Sequence, residues 1–292
     1  MTPRVIVIGD VMLDVVVRPE GPIAPTSDTP SAIHLGRGGS GANLAVALGA
    51  HGHEVTYVGC AGDDVGRSAF VEDLARHGVH ARIETGAGST GVVVSMVAAS
   101  GQRAMLSDRG ANRTLTSAFV LEQLATPFDH LHVSGYTLLE AATRDVAVAA
   151  LEAARACGAR TSVDVCSLEP LRAMGAEVFL DAVAASHQLF ANEEEALELV
   201  AVDNVEAALA SLERRFDEVL VTRGPHGAIV ATFAARIEAP ALGATVLDTT
   251  GAGDAASGTY LAQRLNGRGI EESLDAAMRA AGQVVGILGA TG

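Results

Sequence analysis

Lysine is missing altogether: all 20 basic residues of this 292-residue chain are arginine. The gap excludes a Walker A phosphate loop, whose lysine reaches the terminal phosphates, and Schiff-base chemistry on a lysine amine, that of pyridoxal phosphate included. A chain of this kind that handles a nucleoside triphosphate needs another architecture. Trp is absent too, and seven Phe with three Tyr are too few for a stacking platform along single-stranded nucleic acid. A net charge of −15 without a basic cluster argues against a phosphate-backbone partner. Cysteine is scarce: Cys60, Cys157 and Cys166 are odd in number and widely spaced, which reads as buried thiols in a reducing compartment. The pairs His51/His53, His77/His80 and His130/His132 have suggestive spacing, but no Cys or carboxylate constellation accompanies them, so no structural zinc is expected. No apolar run reaches the ~18 residues of a membrane helix, and the chain opens on a strand with no signal-peptide pattern. A cytoplasmic location is expected, with neither membrane nor nucleic acid as partner.

Hydrophobic residues make up 49% and charged ones 19%, a composition for a globular α/β chain with a generous core. Residues 5–8 are a β-branched run, the mark of a strand buried on both faces, and they end at Gly9-Asp10 with Asp14 four residues further on. Ligands of open α/β sheets bind beyond the carboxyl ends of strands, which puts Asp10 and Asp14 where a substrate is met. A carboxylate there can accept from two hydroxyls of a polyol, or serve as a turn residue. Glycines Gly36, Gly38, Gly39 and Gly41 run into Asn43 and a helix read as 44–50, so backbone and Asn43 can approach a ligand closely. Strand and helix patterns then alternate through residues 54–60, 67–77, 119–124, 130–134, 144–157, 160–165, 178–184, 188–191, 207–216 and 218–222, which predicts a parallel sheet covered on both faces. Residues 91–98 and 103–107, joined by Ala99-Ser100-Gly101-Gln102, break the rhythm as a hairpin. With 15–18 and 31–35 they predict a small separate sheet.

The chain is organised around 246–265, V-L-D-T-T-G-A-G-D-A-A-S-G-T-Y-L-A-Q-R-L, a strand, a glycine turn and a small-residue helix. Gly251 and Gly253 leave no side chain over the amides, and the helix N-terminus adds free donors, a setting for an anion such as phosphate. Asp254 beside that setting is either a residue that favours the helix dipole or a base that takes a proton from an attacking hydroxyl.

D-T-T-G-A-G-D-A at 248–255 and G-G-S-G-A-N at 38–43 resemble the C-terminal and N-terminal motifs of the ribokinase-like (PfkB) family of sugar and nucleoside kinases. The resemblance spans the chain and implies a three-layer α/β sandwich with a mostly parallel central sheet, one domain over 1–292. A small β-sheet lid from about 13–36 and 91–109 would close over the sugar and often forms the dimer surface. It implies that Gly251, Ala252 and Gly253 form an anion hole, that Asp254 is the catalytic base, and that Asp14, Gly38, Gly39 and Asn43 hold the acceptor. The segment 62–66 matches a structural family motif. Arg109, in the family's G-A-N return from the lid, either faces substrate or forms a hinge ion pair. Ser134, Gly135 and Tyr136 end a strand on the pocket side. N-x-x-E at Asn192 and Glu195 is ordinary capping by its residues, and by the resemblance it organises Mg2+ and phosphate through water. Thr222, Arg223, Gly224 and Gly227 match the ATP-contacting loop, although Arg223 could equally lie in solvent. Asp248 and Thr250 match a site for a monovalent cation such as K+ in some relatives. The final helix, 270–286, departs from the family pattern in having no clear asparagine for adenine.

The resemblance therefore implies an ATP- and Mg2+-dependent kinase phosphorylating a hydroxymethyl group of a sugar or sugar-like substrate, as a homodimer through the lid. Three alternatives remain. One is a nucleoside kinase of the adenosine or pseudouridine type, against which few aromatics tilt the balance. Another is a non-catalytic sensor, which would not need Asp254. The third is a dinucleotide oxidoreductase, for which the first strand lacks the glycine fingerprint.

Overall fold

The computed structural model describes residues 2–97, 103–242 and 250–285. In β1 (Arg4–Ile8) alternate residues enter opposite layers, Val5 and Val7 one apolar core and Ile6 and Ile8 the other. That is the signature of a strand inside a parallel sheet with helices on both sides. The chain leaves the core for β2 (Met12–Pro19) and β3 (Ser31–Gly38), then returns through α1 (Ser40–Ala50), β4 (Glu54–Ala61), α2 (Val65–Arg76) and β5 (Val79–Thr85). β6 (Gly91–Val97) and β7 (Arg103–Asp108) rejoin β2 and β3, and a 3-10 turn at Gly110–Thr114 leads back to the core. Alternation resumes with α3 (Ser117–Gln123), β8 (His130–Val133), α4 (Gly135–Leu139), α5 (Arg144–Ala156) and β9 (Arg160–Asp164). It continues with α6 (Leu168–Met174), α7 (Ala176–Ala182), β10 (Gln188–Asn192), α8 (Glu193–Val200), α9 (Val205–Leu212) and β11 (Glu218–Thr222). β12 (Ala228–Ala231), β13 (Arg236–Ala239), α10 (Ala252–Leu265) and α11 (Ile270–Val284) complete the described residues.

Among those residues the large sheet runs β13-β12-β11-β10-β9-β8-β1-β4-β5, parallel except that β12 is antiparallel to both neighbours. The smaller sheet runs β3-β2-β6-β7 with β2 and β6 parallel. The α/β fold with a mostly parallel sheet and a second small sheet is the one expected. Parallel pairing aligns the carboxyl ends of β1, β8, β9, β10 and β11 along one edge, where the candidate residues collect. Asn112 ties the return from the small sheet to β1: it accepts from Val11 N at 2.7 Å and donates to Val11 O at 2.9 Å.

Register puts Leu35, Val15, Val94 and Leu106 in one row of the small sheet and Ile33, Val17, Met96 and Ala104 in the next row on the same face. Ile33, Leu35 and Leu106 there are 63%, 68% and 60% exposed, a large apolar surface left open to solvent.

Several readings are corrected. α1 begins at Ser40 rather than at Leu44, because Gly39 takes φ 92° and its carbonyl already accepts from the amides of Ala42 and Asn43. Other element ends move by up to a few residues, and α4, α6, β5 and β13 are additions. Cys60 is buried and Cys166 half-buried, but Cys157 is exposed, since it caps α5 at a solvent-facing end. The hairpin turn at 99–102 and the strand read at 246–249 lie outside the described residues. α11 packs as its spacing predicts, with Leu274 and Ala277 fully buried. Among the described residues no helix is long and apolar enough to cross a membrane, and no group of three or more His, Cys, Asp or Glu is placed to hold a metal.

Candidate active site

Two helix N-termini meet at the centre of the site. α10 crosses α1 at Gly258, where an added Cβ would stand 2.7 Å from the Ala47 methyl and 3.1 Å from the Leu44 carbonyl, so only glycine allows this approach. The contact brings Asp254, in the first turn of α10, onto the first turn of α1. Asp254 Oδ1 accepts from Ser40 Oγ at 2.7 Å and its Oδ2 from Asn43 Nδ2 at 2.8 Å. Burial pushes the Asp254 carboxyl up, and the two hydrogen bonds pull against that, as does the Arg37 guanidinium, while neighbouring Asp164 adds to it. Before Asp254 the chain turns at Gly251, which is left-handed at φ 78°. A Cβ at Gly253 would meet nothing within 4 Å. No side chain at Gly253 therefore screens the first turn of α10, whose opening amides have no partner inside the helix and lie next to a carboxylate in sequence.

Asp14 projects from β2 opposite Gly36, and a side chain at Gly38 would overlap its carboxylate. Gly39 has no such freedom either, as a Cβ there would lie 2.6 Å from the Asp10 carbonyl. Burial pushes Asp14 up to about 6 against the lowering field of Arg37, with Asp254 adding to the rise. Arg37, at 6% exposure, is held by Asp73 at 2.7 Å and by the Asn43 side-chain oxygen at 2.5 Å, which turns the Asn43 amide nitrogen towards Asp254. Arg109 grips Asp10 with two bonds, at 2.7 and 2.6 Å, and reaches Glu140 at 3.4 Å, so it forms an ion pair where the chain returns from the small sheet. Tyr136 lies half-buried at the start of α4, and its hydroxyl is pushed up by burial.

Further along the same edge, Asn192 and Thr222 sit side by side in the β10–β11 register. Asn192 caps α8 in a reciprocal box: its side chain accepts from Glu195 N at 2.8 Å and Glu195 accepts from Asn192 N at 2.9 Å. Glu195 is 4% exposed, and burial pushes it up to about 7, with Asp164 and Glu194 adding their repulsion. Because that value exceeds the ordinary 4.5, the folded chain binds the proton more tightly, and stability falls as pH rises from about 4.5 to 7. Glu195→Gln keeps the cap and removes the charge. It is expected to raise the melting temperature at about pH 8 and leave it near wild type at about pH 4.5; melting curves at both settle this, and no gain at the higher pH would refute it. In the next loop Arg223 pairs with Glu193 at 3.1 Å and with Glu238 at 3.7 Å. Gly227, at φ 85°, has its Cβ position filled by the Ala239 carbonyl, a packing reason for the glycine, whereas Gly224 borders open space.

The family model for pfkB carbohydrate kinases matches residues 2–292. The chain belongs to the pfkB carbohydrate kinase family. It is 30% identical to an ATP-dependent ribose-1-phosphate kinase of Halopiger xanaduensis, over 93% of this chain and 88% of the relative. The adenosine kinase from Sinorhizobium meliloti superposes with a TM-score of 0.89 at 25% identity, covering 99% of this chain and 96% of that one. A structure from E. coli described as a ribokinase II in complex with ATP and Mg2+ gives 0.87 at 21% identity, with 99% and 94% covered, a likeness of fold alone.

Of the residues expected from the pfkB motifs, Asp14, Gly38, Gly39, Asn43, Gly251, Ala252, Gly253 and Asp254 gather around the α1 and α10 N-termini. Tyr136 lies near them, at the end of β8. Asn192, Glu195, Thr222, Arg223, Gly224 and Gly227 form a second group at the ends of β10 and β11. Asp248 lies outside the described residues, and Thr250 directly precedes the Gly251 turn. Four participants went unremarked in the motifs: Ser40, Asp164, Arg37 and Cys166. Cys166 follows β9 with φ 70°, a backbone that non-glycine residues rarely adopt, and its thiol lies 3.3 Å from Ser134 Oγ. Ser40 lies inside the G-G-S-G-A-N motif, and its polar side chain was the available signal.

Proposed function

We propose that the chain is an ATP-dependent phosphotransferase that phosphorylates a hydroxymethyl group of a sugar. The observation that carries this reading is Asp254 in the first turn of α10, directly after Gly253, whose Cβ position is open space. Asp254 takes the proton of the acceptor hydroxyl while the amides of Gly251, Ala252 and Gly253 receive the negative charge of the transferring phosphoryl group. The acceptor O–H bond breaks, its oxygen joins the γ-phosphorus, and the P–O bond to the ADP leaving group breaks with its electron pair. Asp14, Asn43 and the glycine backbone at Gly38 and Gly39 hold the acceptor, with Tyr136 and the Arg109 hinge at its border. The Thr222, Arg223, Gly224 and Gly227 loop holds the nucleotide. Asn192 and Glu195 would hold Mg2+ through water: Glu195 is an anionic group whose burial is uncompensated by any cation among the described residues. The metal, when bound, offsets triphosphate charge.

The scarcity of aromatic side chains, 3% of the chain, favours a sugar over a nucleoside, whose base gains from stacking. ADP release from Mg·ATP across sugars and nucleosides tests the reading. Turnover on a sugar supports it, faster turnover on a nucleoside replaces the acceptor class, and ATP binding with silence across the panel points to a sensor.

The small sheet is the lid of this reading, and its apolar face supports a homodimer. Ile33→Glu with Leu35→Glu is expected to halve the mass measured by light scattering. A wild-type chain that is already monomeric would remove the proposal.

A further inference from the structure

Ser40 Oγ stands between two carboxylates, 2.7 Å from Asp254 Oδ1 and 2.8 Å from Asp164 Oδ2. A hydroxyl has one proton and can donate to only one of them, so the other contact at that distance needs a proton from a carboxyl. The outer oxygens are engaged with donors of their own: Asp254 Oδ2 with Asn43 Nδ2 at 2.8 Å, Asp164 Oδ1 with Gly135 N at 2.8 Å. The extra proton is placed on the inner oxygens, those facing Ser40, where the Cys166 thiol also hydrogen-bonds Asp164 and Ser40. Resting on the reading of Asp254 as the base, we propose that Asp254, Ser40 and Asp164 form one unit that shares a single proton beyond the hydroxyl's own, with Ser40 and Asp164 as positioning residues.

The unit has a working direction. Asp254 can accept the acceptor's proton only while its own carboxylate is free, so at that moment the shared proton lies on the Asp164 side. Asp164 then donates to Ser40, and Ser40 donates to Asp254. The hydrogen bond from Ser40 fixes which lone pair of Asp254 faces the acceptor, and the Asp164 charge is neutralised instead of opposing the base. The groups surrounding the unit fit this assignment. Arg37 reaches Asn43, Asp14 and Tyr136 feel the Asp254 charge, and Cys166 is pushed up by burial beside Asp164. His132 Nε2, 3.8 Å from Asp164 Oδ1, is buried, has no hydrogen-bond partner, and is held neutral by that burial.

Asn in place of Asp164 donates permanently where the shared proton would lie, and Ala in place of Ser40 cuts the connection. In the pH profile of kcat/KM, Asp164→Asn copies the one-proton state and is expected to leave the acidic limb at its wild-type position, whereas Ser40→Ala, which removes the donor to Asp254, is expected to move that limb up by about one pH unit, a tenfold change. In the free enzyme with carboxyl-13C aspartate at about pH 7.5, one aspartate is expected to remain protonated, and its signal to vanish in both Asp164→Asn and Asp254→Asn. A role confined to structure would not give the protonated carboxyl signal. An acidic limb that Asp164→Asn lowers by about a unit, as loss of an ionised neighbour would, or a protonated aspartate that survives Asp164→Asn, would overturn the shared proton. Asp254→Asn separates the two readings: full turnover in that variant removes the base itself, whereas its loss with no protonated aspartate signal in the wild-type enzyme removes only this unit.

Discussion

Asp254→Asn is expected to lower kcat by about 10²- to 10⁴-fold, the range that a general base contributes, with little change in the acceptor KM. The side chain keeps its size, and its oxygen can still accept from Asn43 or Ser40, so the α1–α10 contact is retained. What is lost is the lone pair that takes the proton. The same substitution removes a carboxylate whose charged form is disfavoured by desolvation, so the variant should melt at or above the wild-type temperature at neutral pH. Loss of activity with a raised melting temperature is the signature of a residue kept for chemistry at the expense of stability. ADP release on an active acceptor and a melting curve decide it; turnover within tenfold of wild type would end the assignment.

Arg109→Ala should be the most damaging single change to the fold outside the apolar core. Asp10 and Arg109 side chains are 9% and 14% exposed, and two bonds of 2.7 and 2.6 Å join them. Removing the guanidinium strands the Asp10 carboxylate in a place with little water, which for buried pairs costs about 3–5 kcal/mol. The loss falls on the junction between the two sheets, where Asn112 also binds Val11. Denaturant unfolding of Arg109→Ala, Asp10→Ala and the double variant measures it, with the double variant expected to be more stable than Arg109→Ala. A destabilisation below about 1 kcal/mol would mean that water reaches Asp10.

Much of this architecture is legible in the sequence because it depends on local pattern. The β-branched run of β1, the β6–β7 hairpin signal and the two glycine motifs each announce themselves within ten residues. β5 could have been read as well, since V-H-A-R-I-E-T alternates with period two. α4 could not: it follows β8 without a capping side chain and runs only five residues. The partners of Asp254 were hidden for a different reason. Asp164 reaches Ser40 because β8 lies between β1 and β9 in the sheet, and strand order is set by crossover packing rather than by any pattern inside V-D-V-C. Arg109 shows a limit of another kind. Its two readings differ only in whether Asp10 turns towards it, and that is decided by the loop between β1 and β2. The exposed Cys157 likewise depends on where α5 ends, which composition does not reveal.

Gly258 decides how such a molecule can change. The missing methyl fixes the gap between α1 and α10, and with it the distance from Asp254 to Ser40 and Asn43, residues more than two hundred positions away in sequence. Variation in the small sheet, by contrast, alters what is presented above that pair without touching the gap. Acceptor preference can drift through the overhanging strands while the proton-removing apparatus stays constant, so one helix contact lets specificity and chemistry evolve separately.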